Sequence, residues 1–281
     1  KINLDVVDIE NKENRNIQRK AFVGITLAFF IYGFIFLYSV QVMRGVIEEK
    51  TNRIVEVIIS SVSTFELMMA KIIGIGLVGI TQFFIWAIVT MIMSVTIFPL
   101  FMKDKYNPSH QMSSDDYMNN SFKIDPNNEA IQFIINEVQW SYLIIFFILF
   151  FLGGYLLYSG LMAAIGAAVD EEADTQQFLL PLTVPMVFAI LMASKVIDNP
   201  SSSLAFWLSE IPFTSPIIMI VRIAMGIGDS SVEIWEIILS LFLLSITFIG
   251  TTWLSGKIYR KGILSYGKKA SYSDLFKWLK N

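Results

Sequence analysis

The sequence predicts an all-α polytopic membrane protein, with five transmembrane helices and one further re-entrant or interfacial element, and three observations predict it. Hydrophobic residues make up 54% of the 281, and mean hydropathy is +0.59. An ordinary soluble domain holds about 45–50% apolar residues even with glycine counted. Five apolar stretches, 21–43, 72–102, 140–169, 178–197 and 232–256, are each long enough for a helix to cross the hydrocarbon core. Trp140 and Tyr142 open the third stretch, and Trp235 and Trp253 stand near the two ends of the fifth, where interfacial anchors belong. A formal charge of −3 offers no basic surplus for nucleic acid. Cysteine is absent, which removes disulfides, thiolate catalysis and Cys-ligated zinc together.

Each element follows in chain order. Residues 1–20 are polar, lack the apolar core of a signal peptide, and read as an extracytoplasmic lead-in behind an upstream span, which would make six spans in the full-length protein. Residues 21–256 form the transmembrane domain, beginning with the charge-free run 21–43. The segment 44–71, RGVIEEKTNRIVEVIISSVSTFELMMAK, organises the rest. On a helix, Ile47, Ile54, Val55, Val57, Ile58 and Val62 share one face, and Glu49, Asn52, Arg53 and Glu56 the other. A solvated loop rarely keeps an apolar stripe so regular, so the segment reads as built to touch another protein. Serines 60, 61 and 63 break the pattern, and Ser63 with Glu66 spells a capping box that restarts a helix.

Gly74, Gly76 and Gly79 then open the second run and predict close helix packing. Residues 103–139 are a polar loop with turn signals at Asn107-Pro108 and Asn119-Asn120. Within that loop, Asp125-Pro126 begins a short surface helix striped by Ile131, Ile134, Ile135 and Val138. The third run ends in Gly160, Ala163, Ala164, Gly166, Ala167 and Ala168, small residues that should be buried against a neighbour. Residues 170–177 form an acidic turn, and Pro181 and Pro185 should kink or delay the fourth helix. In 201–231, Pro212 and Pro216 open a mostly apolar run broken by Arg222 and too short to span, hence re-entrant or interfacial. The tail 257–281 sets seven lysines and arginines against Asp274, and Tyr272, Leu275, Phe276 and Leu279 predict an amphipathic helix on the inner leaflet.

That basic tail sets the orientation, because Lys and Arg close to a span end stay in the cytoplasm. Counting back through five spans puts 44–71 and 170–177 inside, and 103–139, 201–231 and residue 1 outside. Arg15, Arg19 and Lys20 oppose this beside the first span, unless an upstream span overrules them.

Catalytic chemistry is sparse. There is no G-x-x-x-x-G-K-[ST] loop for ATP, no H-E-x-x-H, no G-x-S-x-G and no metal-ligand pattern, and the sole histidine, His110, sits in the polar loop. Gly226-Ile227-Gly228-Asp229 matches the GxGD of intramembrane aspartyl proteases, with Asp198 on the same side as a partner that could share a proton. Both aspartates are flanked by loop residues, Ser230-Ser231 and Asn199-Pro200, and read as loop ends. Ser194 and Lys195 are adjacent, so their side chains point apart on a helix, and Lys195 reads as snorkelling. No span carries Asp, Glu or His in its middle, which disfavours an ion-coupled carrier. The neutral polar groups Tyr32, Tyr38, Gln82, Tyr155 and Tyr158 are candidates for a translocation path, against the more frequent role of bonding helix to helix.

The run EEKTNRIVEVIISSV with its Ser-Thr-Phe-Glu-Leu restart and KIIGIG resembles the cytoplasmic segment of type-two ABC exporter permeases, most closely the NatB-like group. GLMAAIGAAVDEEADTQQFLLPLTVP and IPFTSPIIMIVRIAMG resemble that family's acidic cytoplasmic turn and its short extracytoplasmic element, and the loop 103–139 matches in position. Thr64 and Ala70 depart from the Pro and Gly common in the family. The resemblance implies a non-enzymatic permease subunit of an ATP-driven exporter in a bacterial plasma membrane. It also implies a second permease subunit, homo- or heterodimeric, and a separate ABC ATPase that binds ATP and magnesium. It places ATPase coupling on Glu48, Glu49, Arg53, Glu56, Asp170, Glu171 and Glu172, and leaves sodium, antimicrobial peptide, drug and lipid cargoes open, with the absent intramembrane carboxylates arguing mildly against a dedicated cation site. The rival readings are the aspartyl protease on Asp198 and Asp229, and a channel or carrier without an ATPase.

Overall fold

The computed structural model describes residues 2–52, 61–102, 138–228, 231–265 and 271–280. Residues 53–60, which hold Arg53, Glu56 and most of the predicted apolar stripe, lie outside them, as do residues 103–137 with the predicted surface helix, and Asp229. The described residues are helical, with no strand beyond a single bridge between Ile227 and Val232. The helices are α1 (Ile2–Thr51), α2 (Thr64–Met102), α3 (Trp140–Ala168), α4 (Gln176–Asp198, entered through a 3-10 turn Glu172–Thr175), α5 (Ser203–Glu210), α6 (Ser215–Met225), α7 (Ile234–Gly262) and α8 (Tyr272–Lys280). Five of them, α1, α2, α3, α4 with its 3-10 turn, and α7, are long and apolar enough to cross a membrane, as the sequence predicts.

The chain divides into two compact units, Leu77–Val138 and the remainder. In the smaller unit α2 continues to Met102, exposing Gln82, Phe84, Ile85 and Trp86.

In the larger unit α3 lies between α1 and α7, and α6 packs on α1, α3 and α4. The small residues at the end of α3 are all buried, as their spacing predicts. They allow backbone-to-backbone approach. A Cβ on Gly166 would stand 2.6 Å from the Met43 carbonyl oxygen of α1, and one on Gly262 of α7 would stand 2.8 Å from the Ala167 carbonyl oxygen. The predicted capping box at the start of α2 is formed: Glu66 N–H donates to Ser63 Oγ (3.3 Å), and Ser63 N–H to Glu66 Oε2 (3.0 Å).

Four features differ from the sequence reading or refine it. First, α1 is one helix of 50 residues, about 75 Å long. The polar lead-in and the first part of 44–71 are therefore continuous with the first span. Second, α4 runs through Pro181 and Pro185 without delay. A proline leaves the carbonyl four residues back without a helical donor; for Pro181 that is Gln177, and Tyr272 Oη of α8 donates to it at 2.5 Å. Third, residues 201–231 hold two helices. All eleven residues of α6 are buried, whereas a surface helix would leave one face open. The turn between α5 and α6 and the first residues of α6 reach α3 well inside its length, with Pro216 of α6 against Gly154 and Tyr158 Oη donating to the Phe213 carbonyl of the turn at 2.7 Å. The pair folds back into the bundle as a hairpin, and Gly226, at φ 141°, ends α6 in a conformation that favours glycine. Fourth, α8 forms as predicted, but Leu275 and Trp278 pack on a protein core of Met43, Ile47, Met162, Ile165 and Phe178. Of the predicted apolar face Leu275 meets that core, while Tyr272 stays 44% exposed.

Candidate functional site

The end of the bundle where α1, α3 and α7 finish carries most of the described coupling residues. Its centre is Lys50, the residue next to last in α1 and only 1% exposed. The last carbonyls of a helix have no partner within it, and Lys50 Nζ donates to two at the end of α3, Ala167 (2.9 Å) and Val169 (3.2 Å). Asp170 Oδ1 lies 2.9 Å from the same ammonium. A buried amine with two carbonyls and a carboxylate around it is paired and hydrogen-bonded, which is the condition for burying charge. Lys71 of α2 makes a parallel tie to α1, reaching Glu49 Oε1 at 2.5 Å and the Gly45 carbonyl at 3.0 Å. Arg44 reaches Glu172 at 2.6 Å, with both side chains more than half exposed.

The predicted residues therefore separate. Asp170 and Glu49 face inward on lysines. Glu48, Glu171 and Glu172 are exposed on the outer side of the same elbow. Lys50 and Lys71, which knit it together, were not singled out from the sequence; a Lys directly after Glu-Glu reads as one more solvated charge.

The predicted path residues are placed as follows. Tyr38 is buried on α1 and stacks on Phe34. Tyr155 Oη donates to the Ile72 carbonyl at 2.6 Å, tying α3 to α2, and Tyr158 ties α3 to the hairpin turn. In this structure both hydroxyls bond helix to helix. Asp198 is exposed and lies 3.4 Å from Lys195 on the next turn, so it contributes no buried carboxyl to a protease dyad.

A second polar cluster lies where the hairpin meets the start of α7. Arg222 is 1% exposed. Its Nε donates to the Pro200 carbonyl (3.0 Å), Nη1 to Ser209 Oγ (2.7 Å) and Nη2 to the Ser231 carbonyl (2.9 Å), while Glu236 Oε2 of α7 stands 2.6 Å from Nη1. Ser231 Oγ donates back to the Arg222 carbonyl, and Ser240 Oγ of α7 to the Ser209 carbonyl. Beside them Glu210 is 4% exposed, with no hydrogen-bond partner on either carboxyl oxygen among the described residues. Burial first, then the charge of Glu236, pushes its pKa from 4.5 up to about 7, with Arg222 pulling the other way. The only sequence signal for this cluster was an arginine interrupting an apolar run.

Comparison with known proteins follows the same lines. Residues 1–257 match the family model described as ABC-2 family transporter protein. Uncharacterized protein YhaP of Bacillus subtilis (strain 168) is 28% identical over 250 residues, covering 89% of this chain and 53% of that protein. Uncharacterized protein MJ1024 of Methanocaldococcus jannaschii is 24% identical over 280 residues, covering 98% of this chain and 58% of that protein. The chain thus spans a little over half the length of these relatives. No solved structure matches it.

Proposed function

Because the chain belongs to the ABC-2 transporter family, we propose that it is the membrane-spanning permease subunit of an ATP-driven exporter of the NatB-like group, powered by a separate ATPase subunit docking at the elbow. The chain is a multi-pass membrane protein of a transporter family. ATP and magnesium would bind in the partner, and two permeases with two ATPases would make the working assembly in the plasma membrane of a prokaryote.

The observation that carries this reading is the build of the elbow. Lys50 and Lys71 fasten the ends of α1, α2 and α3 into one block, and Glu48, Glu171 and Glu172 stand exposed on it. An exposed acidic rim offers a partner electrostatic register without adding to the fold. A displacement imposed there has a physical route to the far end, since α1 also packs along α6, where Gly24 meets Val221 and Ala224. Rigid packed helices move as units rather than deforming.

The test is reconstitution of the full-length protein with its ATPase in vesicles. Reversing two rim charges together, Glu48→Lys with Glu171→Lys, should leave the yield of folded protein unchanged and lower transport and transport-linked ATP hydrolysis at least tenfold. A double variant that assembles and transports like the parent removes the rim from the dock.

A further inference from the structure

Three ionisable groups from three elements meet at the hairpin end: Glu210 on α5, Arg222 on α6 and Glu236 on α7. One positive charge stands against two negative ones, with Arg222 and Glu210 buried and the Glu236 side chain 13% exposed. Each nitrogen of Arg222 is engaged, by Pro200, Ser209, Ser231 or Glu236, which takes four of its five N–H donors. None of these contacts reaches Glu210, whose two oxygens have no hydrogen-bond partner among the described residues, in a residue 4% exposed. An ionised carboxylate in that position would have given up water with only the through-space pull of Arg222 to offset the loss, and a group so placed neutralises instead.

We propose that Glu210 is a proton-binding site which, together with Glu236, holds a single proton beside Arg222, and that its occupancy sets how firmly the α5–α6 hairpin is held against α7. The step is a simple protonation. One proton from water joins one Glu210 oxygen, the pair goes from two negative charges to one, and Arg222 then balances the remainder. The pKa of about 7 agrees with this and puts the change in the physiological range.

Among the described residues, the charged groups acting on Glu210 are Glu236 from α7 and Arg222 from α6. On α4, Lys195 and Asp198 are exposed and paired with each other, and Glu233, just before α7, is exposed and accepts from the Trp235 indole. Among the described residues no group of three or more His, Cys, Asp or Glu is assembled to hold a metal ion, and Glu236 already faces a guanidinium.

The direction with pH follows from linkage. Between 4.5 and about 7 the folded chain keeps a proton that the unfolded chain has lost. Stability is therefore highest in acid, falls as pH rises through that interval, and levels off above it. Acid locks the hairpin and alkali loosens it.

The test uses the full-length protein in detergent, read by infrared difference spectroscopy and thermal unfolding from about pH 5 to about pH 8.5. The parent should show a protonated-carboxyl band that titrates near pH 7, and an unfolding midpoint that falls over the same range. Glu210→Gln should lack the band and hold its midpoint flat. Glu236→Gln removes the neighbouring negative charge and should move the parent transition down by about one pH unit, which decides the matter should Glu210→Gln fail to fold. A band unchanged in Glu210→Gln, or a transition unmoved in Glu236→Gln, overturns the proposal. So does a midpoint that shifts in the parent alone when sodium and potassium are replaced by a large organic cation at constant pH, since the ligand is then a metal cation. None of these readouts needs the ATPase or transport, so this proposal and the exporter reading fail separately.

Discussion

At the scale of single residues, the contrast between Lys50 and Arg44 separates holding the elbow together from decorating it. Lys50 is sealed in, and removing its ammonium leaves two helix-end carbonyls and Asp170 short of a partner. Breaking one side of a buried pair costs about 3–5 kcal/mol; Lys50→Met should fall at the low end, because Asp170 is 31% exposed and recovers some water. The expected outcome is a large drop in thermal midpoint and in folded yield. Arg44→Ala opens only an exposed pair and should stay within about 1 kcal/mol of the parent. Equal midpoints for the two variants would show that Lys50 does not clamp α1 to α3. Tyr272→Phe isolates the hydroxyl on the carbonyl freed by Pro181 and should cost about 1 kcal/mol in the same assay. The residue types were plain in the sequence, but the partners of Lys50 lie 117 or more positions away, and no local pattern announces such a pair.

At the scale of elements, the small-residue end of α3 was legible in advance, because Gly and Ala at helical spacing have few uses other than letting a neighbour close in. Gly166→Ala places a Cβ 2.6 Å from a backbone oxygen of α1. Backbone cannot swing aside as a side chain can, so α1 and α3 must separate, at about 1–3 kcal/mol. Gly33→Ala is the control: its Cβ would meet nothing within 4 Å, and alanine favours the helix by up to about 1 kcal/mol. Thermal unfolding of the two should move in opposite directions; Gly166→Ala as stable as the parent would mean that the close approach is not needed. The fate of α8 was only half legible. Its amphipathic spacing predicted a helix with an apolar face, but lipid and protein core are alike to such a face, and the choice depended on what stood nearby. Trp278→Ala should therefore destabilise the elbow end, seen as faster hydrogen exchange in α4 beside Phe178, whereas a helix lying only on lipid would leave α4 unchanged.

At the scale of the whole molecule, orientation is the prediction that binds the rest. The chain has no cysteine, so single cysteines at the exposed positions Ser201 and Glu171 report the two ends cleanly. An impermeant thiol reagent on intact cells should label the Ser201→Cys protein and reach Glu171→Cys only after lysis; the reverse pattern would invert the proposed topology and detach the acidic elbow from any cytoplasmic ATPase. What the sequence by itself determined is whatever depends on composition and short-range period. It predicted helices rather than strands, five of them apolar enough to span, the capping box at Ser63, and the packing face of α3. These follow from hydropathy and from a 3.6-residue repeat, which act within a few turns of one helix. Only the tertiary structure decided that α6 is buried on every side, that Lys50 and Lys71 face inward while Glu48 and Glu171 face outward, and that Glu210 is buried near an arginine whose nitrogens are engaged by other groups. Each of those depends on charges and carbonyls brought together from distant parts of the chain. In a medium of low dielectric such encounters set which groups are paired, which stay exposed and which keep a proton.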